Sequence, residues 1–161
     1  MVYWISYIAL ILILGLIFVQ DWKDRAVHWW LFPILLGLSF IQFEQKNTNP
    51  ADLLTSLIFL VLVLLLLIAY ISLRRKQWVN IFKNDFGWGD VLFLLAVIPL
   101  FSHMAYILFF ISGMFFSLLI HLLFQRRKKS TVPLAGYLAL YVTFLKGLEL
   151  AGFQLNHQIL F

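Results

Sequence analysis

Long apolar runs broken by short polar segments are the feature that most constrains the fold of this chain. Of its 161 residues, 63% are hydrophobic and only 12% are charged. A soluble domain of this length could not bury so much apolar surface, so the composition indicates an integral membrane protein. The length predicts a single domain over residues 1–161, with no room for a separate soluble module.

The apolar runs predict six helices. At about 1.5 Å per residue, the first, third, fifth and sixth runs are long enough to cross about 30 Å of hydrocarbon, whereas the second and fourth are short. Pro99 and the polar pair Ser102-His103 predict a turn between the fourth and fifth runs rather than one long helix. The runs cover roughly residues 2–20, 29–43, 52–73, 90–101, 104–124 and 133–152.

Basic residues predict the orientation of these helices. Two clusters, one over residues 74–83 and one over residues 126–129, are separated by the fourth and fifth runs. If both clusters stay in the cytoplasm, the chain forms an all-α polytopic membrane helix bundle of about six transmembrane helices, with both termini outside the cytoplasm. Because the net charge of +5 lies mostly in these short loops, we expect contacts with membrane lipid and not with nucleic acid. Residues 74–85 are predicted to form an amphipathic lid on the inner surface.

Two aspartates are predicted to lie at the same membrane face. Asp21 ends the first apolar run, and Asp90 follows Gly87-Trp88-Gly89 at the start of the fourth. A carboxylate at membrane depth is costly unless a partner compensates it, which makes it a functional candidate. Glycines allow a close approach to a partner and conformations that other residues avoid. The pattern therefore predicts a paired-carboxylate site.

A carboxylate pair of this kind favours acid–base hydrolysis. Two carboxyl groups within hydrogen-bonding distance do not both ionise easily, so they share one proton. The ionised member can take a proton from water while the protonated member binds a scissile carbonyl, as in aspartic proteases. This chemistry requires no cofactor. The sequence has no cysteine, and its four histidines lack the His-Glu-x-x-His spacing, so no metal site is predicted.

The two aspartate motifs resemble those of a known family. Phe86-Gly87-Trp88-Gly89-Asp90 matches the Gly-x-Gly-Asp motif of intramembrane aspartyl proteases. Asp21-x-x-x-Arg25-x-Val27 resembles the first-aspartate motif of the type IV prepilin peptidase family, including its short TadV/CpaA-like and preflagellin peptidase members. The late segment Val132-Pro133-Leu134-Ala135-Gly136 also fits that family. The chain departs from it in having His28-Trp29 where many relatives have Pro-Asn.

The resemblance implies a function and a substrate. It implies cleavage of the leader peptide of a pilin-like precursor at the cytoplasmic face of a prokaryotic inner membrane, with Asp21 and Asp90 as the catalytic pair. Gly87 and Gly89 would let the chain approach the substrate backbone, and Asp24 or Asp85 would contact the basic leader. Bifunctional relatives add a cysteine-rich N-methylating portion. Because this chain has no cysteine, the resemblance implies cleavage only.

Simpler structural roles stay open for the same acids. Asp90 could cap its own helix, and Asp21 could be a solvated interfacial charge. Asp24 and Asp85 are favoured as ordinary interfacial acids, with Asp24 also a rival to Asp21 for the catalytic role. In this interpretation the chain is a non-enzymatic transporter subunit or assembly scaffold.

Four further residues are assigned structural roles by their spacing. Lys146 and Glu149 are three residues apart, which favours an ion pair over a proton path. Gly113 and Gly147 are predicted helix-packing positions. Asp52, after the turn at Asn49-Pro50, is a predicted helix-starting cap.

Overall fold

A computed structural model describes residues 2–46, 49–75, 87–124 and 133–150 of the chain, and these residues form helices joined by short turns, with no strand among them. This confirms the predicted all-α class and the six helical runs. Residues 76–85 of the predicted lid, with Asp85, lie outside the described residues. The helices are α1 Val2–Asp24, α2 Leu31–Lys46, α3 Pro50–Arg75, α4 Trp88–Ala96, the 3-10 helix Ile98–Leu100, α5 His103–Phe124 and α6 Leu134–Leu150.

Three of the helices are long and apolar enough to cross a membrane. They are Trp4–Asp24, Pro50–Arg74 and His103–Leu123, and they belong to α1, α3 and α5. Large aliphatic side chains such as Leu65, Leu66 and Leu73 of α3 are exposed, as expected for a surface that faces lipid. The described part of α6 has 17 residues. That α2, α4 and α6 also cross the membrane stays a prediction.

The boundaries of α3, α4 and α5 have local causes. The side chain of Asn49 accepts a hydrogen bond from the amide of Ala51 at 3.0 Å, so Asn49 caps α3, and the predicted cap at Asp52 is wrong. Pro50 can occupy the first helical position because that position needs no amide donor. Pro99 lies within the 3-10 helix that separates α4 from α5, which confirms the predicted break.

The centre of the bundle is α1, which packs against α2 and α6. Leu10, Leu14 and Ile17 form a fully buried stripe on α1, at alternating spacings of four and three residues. Near one end of this stripe, the hydroxyl of Tyr7 donates to the carbonyl of Lys146 on α6. At its other end lies Asp21. We call this second end of the bundle the aspartate end.

A buried ion pair lies far from the aspartate end. The ammonium group of Lys146 is fully buried and lies 3.0 Å from a carboxylate oxygen of Glu149. This confirms the predicted ion pair. Because an unpaired buried ammonium is very costly, Glu149 compensates the charge that Lys146 brings into the apolar interior.

The two predicted packing glycines differ in the structure. A β-carbon at Gly113 of α5 would lie 2.7 Å from Leu138 of α6, which confirms Gly113 as a close-packing position. A β-carbon at Gly147 would meet no atom within 4 Å, so the prediction for Gly147 is wrong in the described part of the chain. Of these two glycines, only Gly113 sets a distance between α5 and α6 within the described ranges.

Enlarging Gly113 should separate α5 from α6. We expect Gly113→Leu to lower the free energy of unfolding by about 1–3 kcal/mol, because the added side chain overlaps buried Leu138. The thermal unfolding midpoint of the purified chain in detergent measures this loss. Gly147→Leu makes the same substitution where space is open, so its midpoint should change little. Equal effects of the two substitutions would contradict the assigned packing.

Candidate active site

The candidate active site is built around the first turn of α6. Pro133 precedes this helix, and the first backbone bond along it runs from the amide of Tyr137 to the carbonyl of Pro133, at 3.1 Å. The amides of Leu134, Ala135 and Gly136 therefore have no carbonyl partner within their own helix. The free amides of such a turn donate hydrogen bonds and carry a partial positive charge, so the turn stabilises a carboxylate that binds there.

Two aspartates from two other helices accept hydrogen bonds from adjacent backbone amides of this turn. The amide of Ala135 donates to Oδ1 of Asp90 at 2.8 Å, and the amide of Gly136 donates to Oδ2 of Asp21 at 2.6 Å. Asp21 comes from the last turn of α1 and is 8% exposed, and Asp90 comes from the first turn of α4 and is half-buried. The predicted pair, 69 residues apart in sequence, thus meets at one helix terminus.

The hydrogen bonds limit how far apart the two carboxylates can be. Because neighbouring backbone nitrogens of a helix are about 3 Å apart, the two bonded oxygens lie within about 8 Å of each other. The carboxylates are close enough to interact electrostatically, so ionisation of both is opposed by their mutual repulsion. The protonation of one acid therefore affects that of the other.

Arg25 places a positive charge beside the pair. It follows α1 with a φ of 55°, a left-handed conformation that costs a non-glycine residue about 1–2 kcal/mol. Its amide donates to the carbonyl of Asp21 at 3.2 Å, and its guanidinium interacts electrostatically with the Asp21 carboxylate. The turn that ends α1 therefore keeps a compensating cation next to the more buried aspartate.

Aromatic rings pack on one another next to Asp21 in α1 and Gly136 in α6. Trp22 packs edge-on against Tyr137 with ring centroids 5.9 Å apart, and Phe18 lies at the same distance from Trp22. Tyr137 is buried and directly follows Gly136 in α6. These rings join α1 to α6 next to Asp21, and Trp22 is 45% exposed at the edge of the site.

The two motif glycines have different surroundings. A β-carbon at Gly87 would lie 3.2 Å from Oδ2 of Asp90, so a side chain there would crowd the carboxylate. The backbone of Gly87, with φ −74° and ψ 138°, has a conformation that any residue can adopt. The lack of space for a side chain, and not the backbone conformation, is therefore the reason for glycine at this position. A β-carbon at Gly89 would make only an ordinary contact with Phe32, at 3.6 Å. The predicted need for special glycine conformations in this motif is therefore wrong.

The other predicted acids lie apart from the pair. Asp24 is exposed one turn beyond Asp21, because α1 has by then run past the first residue of α6. Asp85 lies outside the described residues. Gly87, the residue before α4, has no side chain that could cap the helix, but the Asp90 carboxylate accepts a hydrogen bond from the backbone of Gly87 as well as from Ala135. The interpretation of Asp90 as a cap of its own helix therefore stays open, and Asp90 also caps α6.

Sequence reasoning missed the donor half of the site. Ala135 and Gly136 were noted only as part of a late motif, yet their amides hold both carboxylates. A proline followed by an apolar run signals a helix start, and a helix start in a membrane carries unsatisfied amides that need an acceptor. The sequence also has two aspartates at membrane depth that need hydrogen-bond donors. Together these two signals could have identified the first turn of α6 as the donor.

The described residues hold no group of three or more His, Cys, Asp or Glu side chains that could bind a metal ion. Comparison with known proteins gives no assignment. No family model matches the chain, and no match to it was found among curated proteins or solved structures.

The close fit at Gly136 generates a test of the site. A β-carbon there would lie 3.0 Å from Cβ and 3.1 Å from Oδ2 of Asp21, and 3.4 Å from the backbone oxygen of Phe18. We expect Gly136→Ala to push α1 away and to lower the free energy of unfolding by about 1–3 kcal/mol. Thermal unfolding in detergent measures this change.

Gly147→Ala is the matched control for Gly136→Ala, because it lies on the same helix in open space. It should leave stability unchanged or raise it by up to about 1 kcal/mol, since alanine favours the helix. A Gly136→Ala chain as stable as the unmodified chain would show that the bond to Asp21 does not depend on this close approach.

Proposed function

We propose that this protein is an intramembrane aspartic endopeptidase of the prepilin peptidase type. Its substrate is a pilin-like precursor with a basic leader, a glycine before the scissile bond and an apolar helix after it. The observation that carries this proposal is the binding of Asp21 and Asp90 to adjacent amides of one helical turn. Cleavage takes place at the cytoplasmic face of a prokaryotic inner membrane.

The proposed reaction is hydrolysis by a proton-sharing pair. The ionised carboxylate takes a proton from a water molecule, whose oxygen attacks the carbonyl carbon of the scissile peptide. The protonated carboxyl group donates a hydrogen bond to the carbonyl oxygen as negative charge develops there. The peptide C–N bond then breaks, and the leaving nitrogen takes a proton from the pair.

The bonding pattern leaves the pair able to do this work. Asp90 uses Oδ1 and Asp21 uses Oδ2 to accept from α6, and Asp90 also accepts from the backbone of Gly87. Because an ionised carboxylate has about four lone-pair sites, both acids keep sites for water or a proton. The separation of about 8 Å or less is compatible with one water molecule and one peptide carbonyl between the acids. Arg25 offsets part of the cost of keeping a negative charge in this buried place.

The rest of the proposal concerns orientation and contacts. All six helices cross the membrane, both chain termini lie outside the cytoplasm, and the aspartate end faces the cytoplasm. The exposed carboxylate of Asp24, with Asp85, contacts the basic leader. Gly87 leaves room for the substrate backbone beside Asp90. Methylation of the product, where it occurs, is the work of another enzyme.

One specific observation favours a second candidate function, a non-enzymatic scaffold. Both aspartates satisfy amides of α6, which is a structural role in its own right. In a scaffold, replacing either acid would weaken the bundle and abolish no reaction. The two functions therefore differ in whether the unmodified chain cleaves a precursor.

Asparagine variants of the pair should separate folding from activity. Asp21→Asn and Asp90→Asn keep an oxygen that accepts from α6 but cannot share a proton, so we expect each to insert and to lower cleavage at least about 10³-fold. Mass spectrometry of a precursor incubated with the purified chain measures product, and thermal unfolding checks the fold.

Asp52→Asn is the matched control for these variants, because Asp52 lies in the first turn of α3 and has no role in the proposed site. It should retain cleavage within about threefold of the unmodified chain. Normal processing by either Asp21→Asn or Asp90→Asn would remove that residue from the catalytic pair.

The shared proton predicts a bell-shaped dependence of rate on pH. The pair is active when it holds one proton, so the rate should rise as the first proton is lost and fall as the second is lost. Initial cleavage rates across the pH range in which the chain stays folded measure this profile. Asp24→Asn should keep both limbs. Undiminished activity well above neutral pH would contradict the shared-proton mechanism and leave the fold unaffected.

A further inference from the structure

The side chain of Arg25 turns inward at the aspartate end. Arg25 directly follows α1, and its amide donates to the carbonyl of Asp21 at 3.2 Å, which fixes it to the last turn of that helix. Its Nε atom is buried, whereas Lys23 and Asp24, the two charged residues before it, are exposed. Arg25 therefore differs from these neighbours in directing its side chain towards the protein and not into solvent.

The charge of Arg25 acts on one member of the carboxylate pair. Its guanidinium interacts electrostatically with the Asp21 carboxylate and with the phenol of Tyr137, the residue that follows Gly136 in α6. Among the described residues, the charged group that acts on Asp90 is instead the Asp21 carboxylate. Asp21 thus has a compensating cation beside it, and Asp90 has the negative charge of Asp21. A nearby opposite charge favours the ionised form of an acid, and a nearby like charge favours the neutral form.

Apart from Asp90, the described groups that face Asp21 from neighbouring elements are neutral or exposed. The amide of Gly136 on α6 is a neutral donor, 2.6 Å from the carboxylate. The first half of α2, which also packs on α1, buries apolar side chains, and His28 in the turn before it is exposed. Removing the charge of Arg25 would therefore leave the Asp21 carboxylate with neutral donors.

We propose that Arg25 is a positioning residue that keeps Asp21 ionised, which makes Asp21 the general base and Asp90 the general acid of the reaction. This inference rests on the proposed endopeptidase function and gives each carboxylate of the pair a separate role. Arg25 acts through Asp21 and takes no part in proton transfer.

The two roles account for every proton in the reaction. Asp21 takes a proton from water as the water oxygen bonds to the scissile carbonyl carbon, and Asp90 gives its proton to the carbonyl oxygen. When the C–N bond breaks, the leaving nitrogen takes the proton from Asp21. Asp90 recovers a proton from one hydroxyl of the intermediate, which becomes the new carboxyl group. The pair ends as it began, with Asp21 ionised and Asp90 protonated.

The test compares pH–rate profiles of the full purified chain, reconstituted in lipid nanodiscs. The probe is a synthetic peptide with a basic leader, a glycine and an apolar helix. Arg25→Gln removes the charge and keeps a polar side chain, so ionised Asp21 loses its compensating cation. We expect the acidic limb of the profile to move to higher pH by about one unit, which lowers kcat about tenfold along that limb. The alkaline limb, where the proton leaves Asp90, should move less.

Two further variants separate charge from structure. Arg25→Lys retains a cation and should return the acidic limb most of the way to its original position. Lys23→Gln removes an equal charge two residues from Asp21, but at an exposed position where water and salt screen it, so it should move neither limb. A merely structural Arg25 would lower the thermal unfolding midpoint and the amount of active chain, and would leave both limbs in place.

Infrared spectroscopy tests the same charge without a substrate. The band of protonated carboxyl groups, compared between each chain and the same chain carrying Asp21→Asn, reports the proton on Asp21. As the pH is lowered, this band should appear at a higher pH in Arg25→Gln than in the unmodified chain. A band that appears at the same pH in both chains would overturn the inference.

The outcomes distinguish this inference from the function on which it rests. An active Arg25→Gln chain whose acidic limb stays in place would overturn the role of Arg25 and leave the endopeptidase proposal standing. Movement of the alkaline limb alone would do the same, because it would place the negative charge on Asp90. An unmodified chain that cleaves no such peptide, but whose infrared band is displaced in Arg25→Gln, would overturn the endopeptidase proposal and with it the roles of base and acid. The ionised state of Asp21 would then still be assigned to Arg25.

Discussion

The binding of two carboxylates by the first turn of α6 is the interaction on which the candidate site depends. The start of α6 has amides without acceptors, and the buried Asp21 and half-buried Asp90 need hydrogen-bond donors. Each hydrogen bond therefore offsets the free-energy cost of burying both of its groups. Hydrogen bonds to charged groups contribute about 1.5–3 kcal/mol each, more than neutral ones. The bonds of Asp90 to Ala135 and of Asp21 to Gly136 also join α1, α4 and α6 at one end of the bundle.

The apolar packing of α1 is what allows this junction to form. Leu10, Leu14 and Ile17 hold α1 against its neighbours, and Asp21 is next along the same buried stripe. At the far end, the hydroxyl of Tyr7 and the carbonyl of Lys146 tie α1 to α6 again. With α1 fixed to α6 at both ends, the Asp21 carboxylate has little freedom to leave the turn. A rigid scaffold of this kind is what a catalytic pair requires.

The same geometry suits a structural role and the proposed catalytic role. An aspartate that caps a helix and one that activates water both accept from amides, and they differ in what the second carboxylate oxygen does. Arg25 ends α1 in the left-handed conformation that commonly terminates helices, so its φ is compatible with either role.

The sequence by itself determined the class of fold, the six helices and the candidate acids. Helices follow from apolar runs that must satisfy their own backbone in a membrane, and the break at Pro99 follows from its missing amide. Only the tertiary structure decided that Asp21 and Asp90 share one turn of α6, that Ala135 and Gly136 are the donors, and that Gly113 is a contact point while Gly147 is not. Those facts depend on which helix faces which neighbour, and hydrophobic periodicity specifies a buried face without specifying its partner.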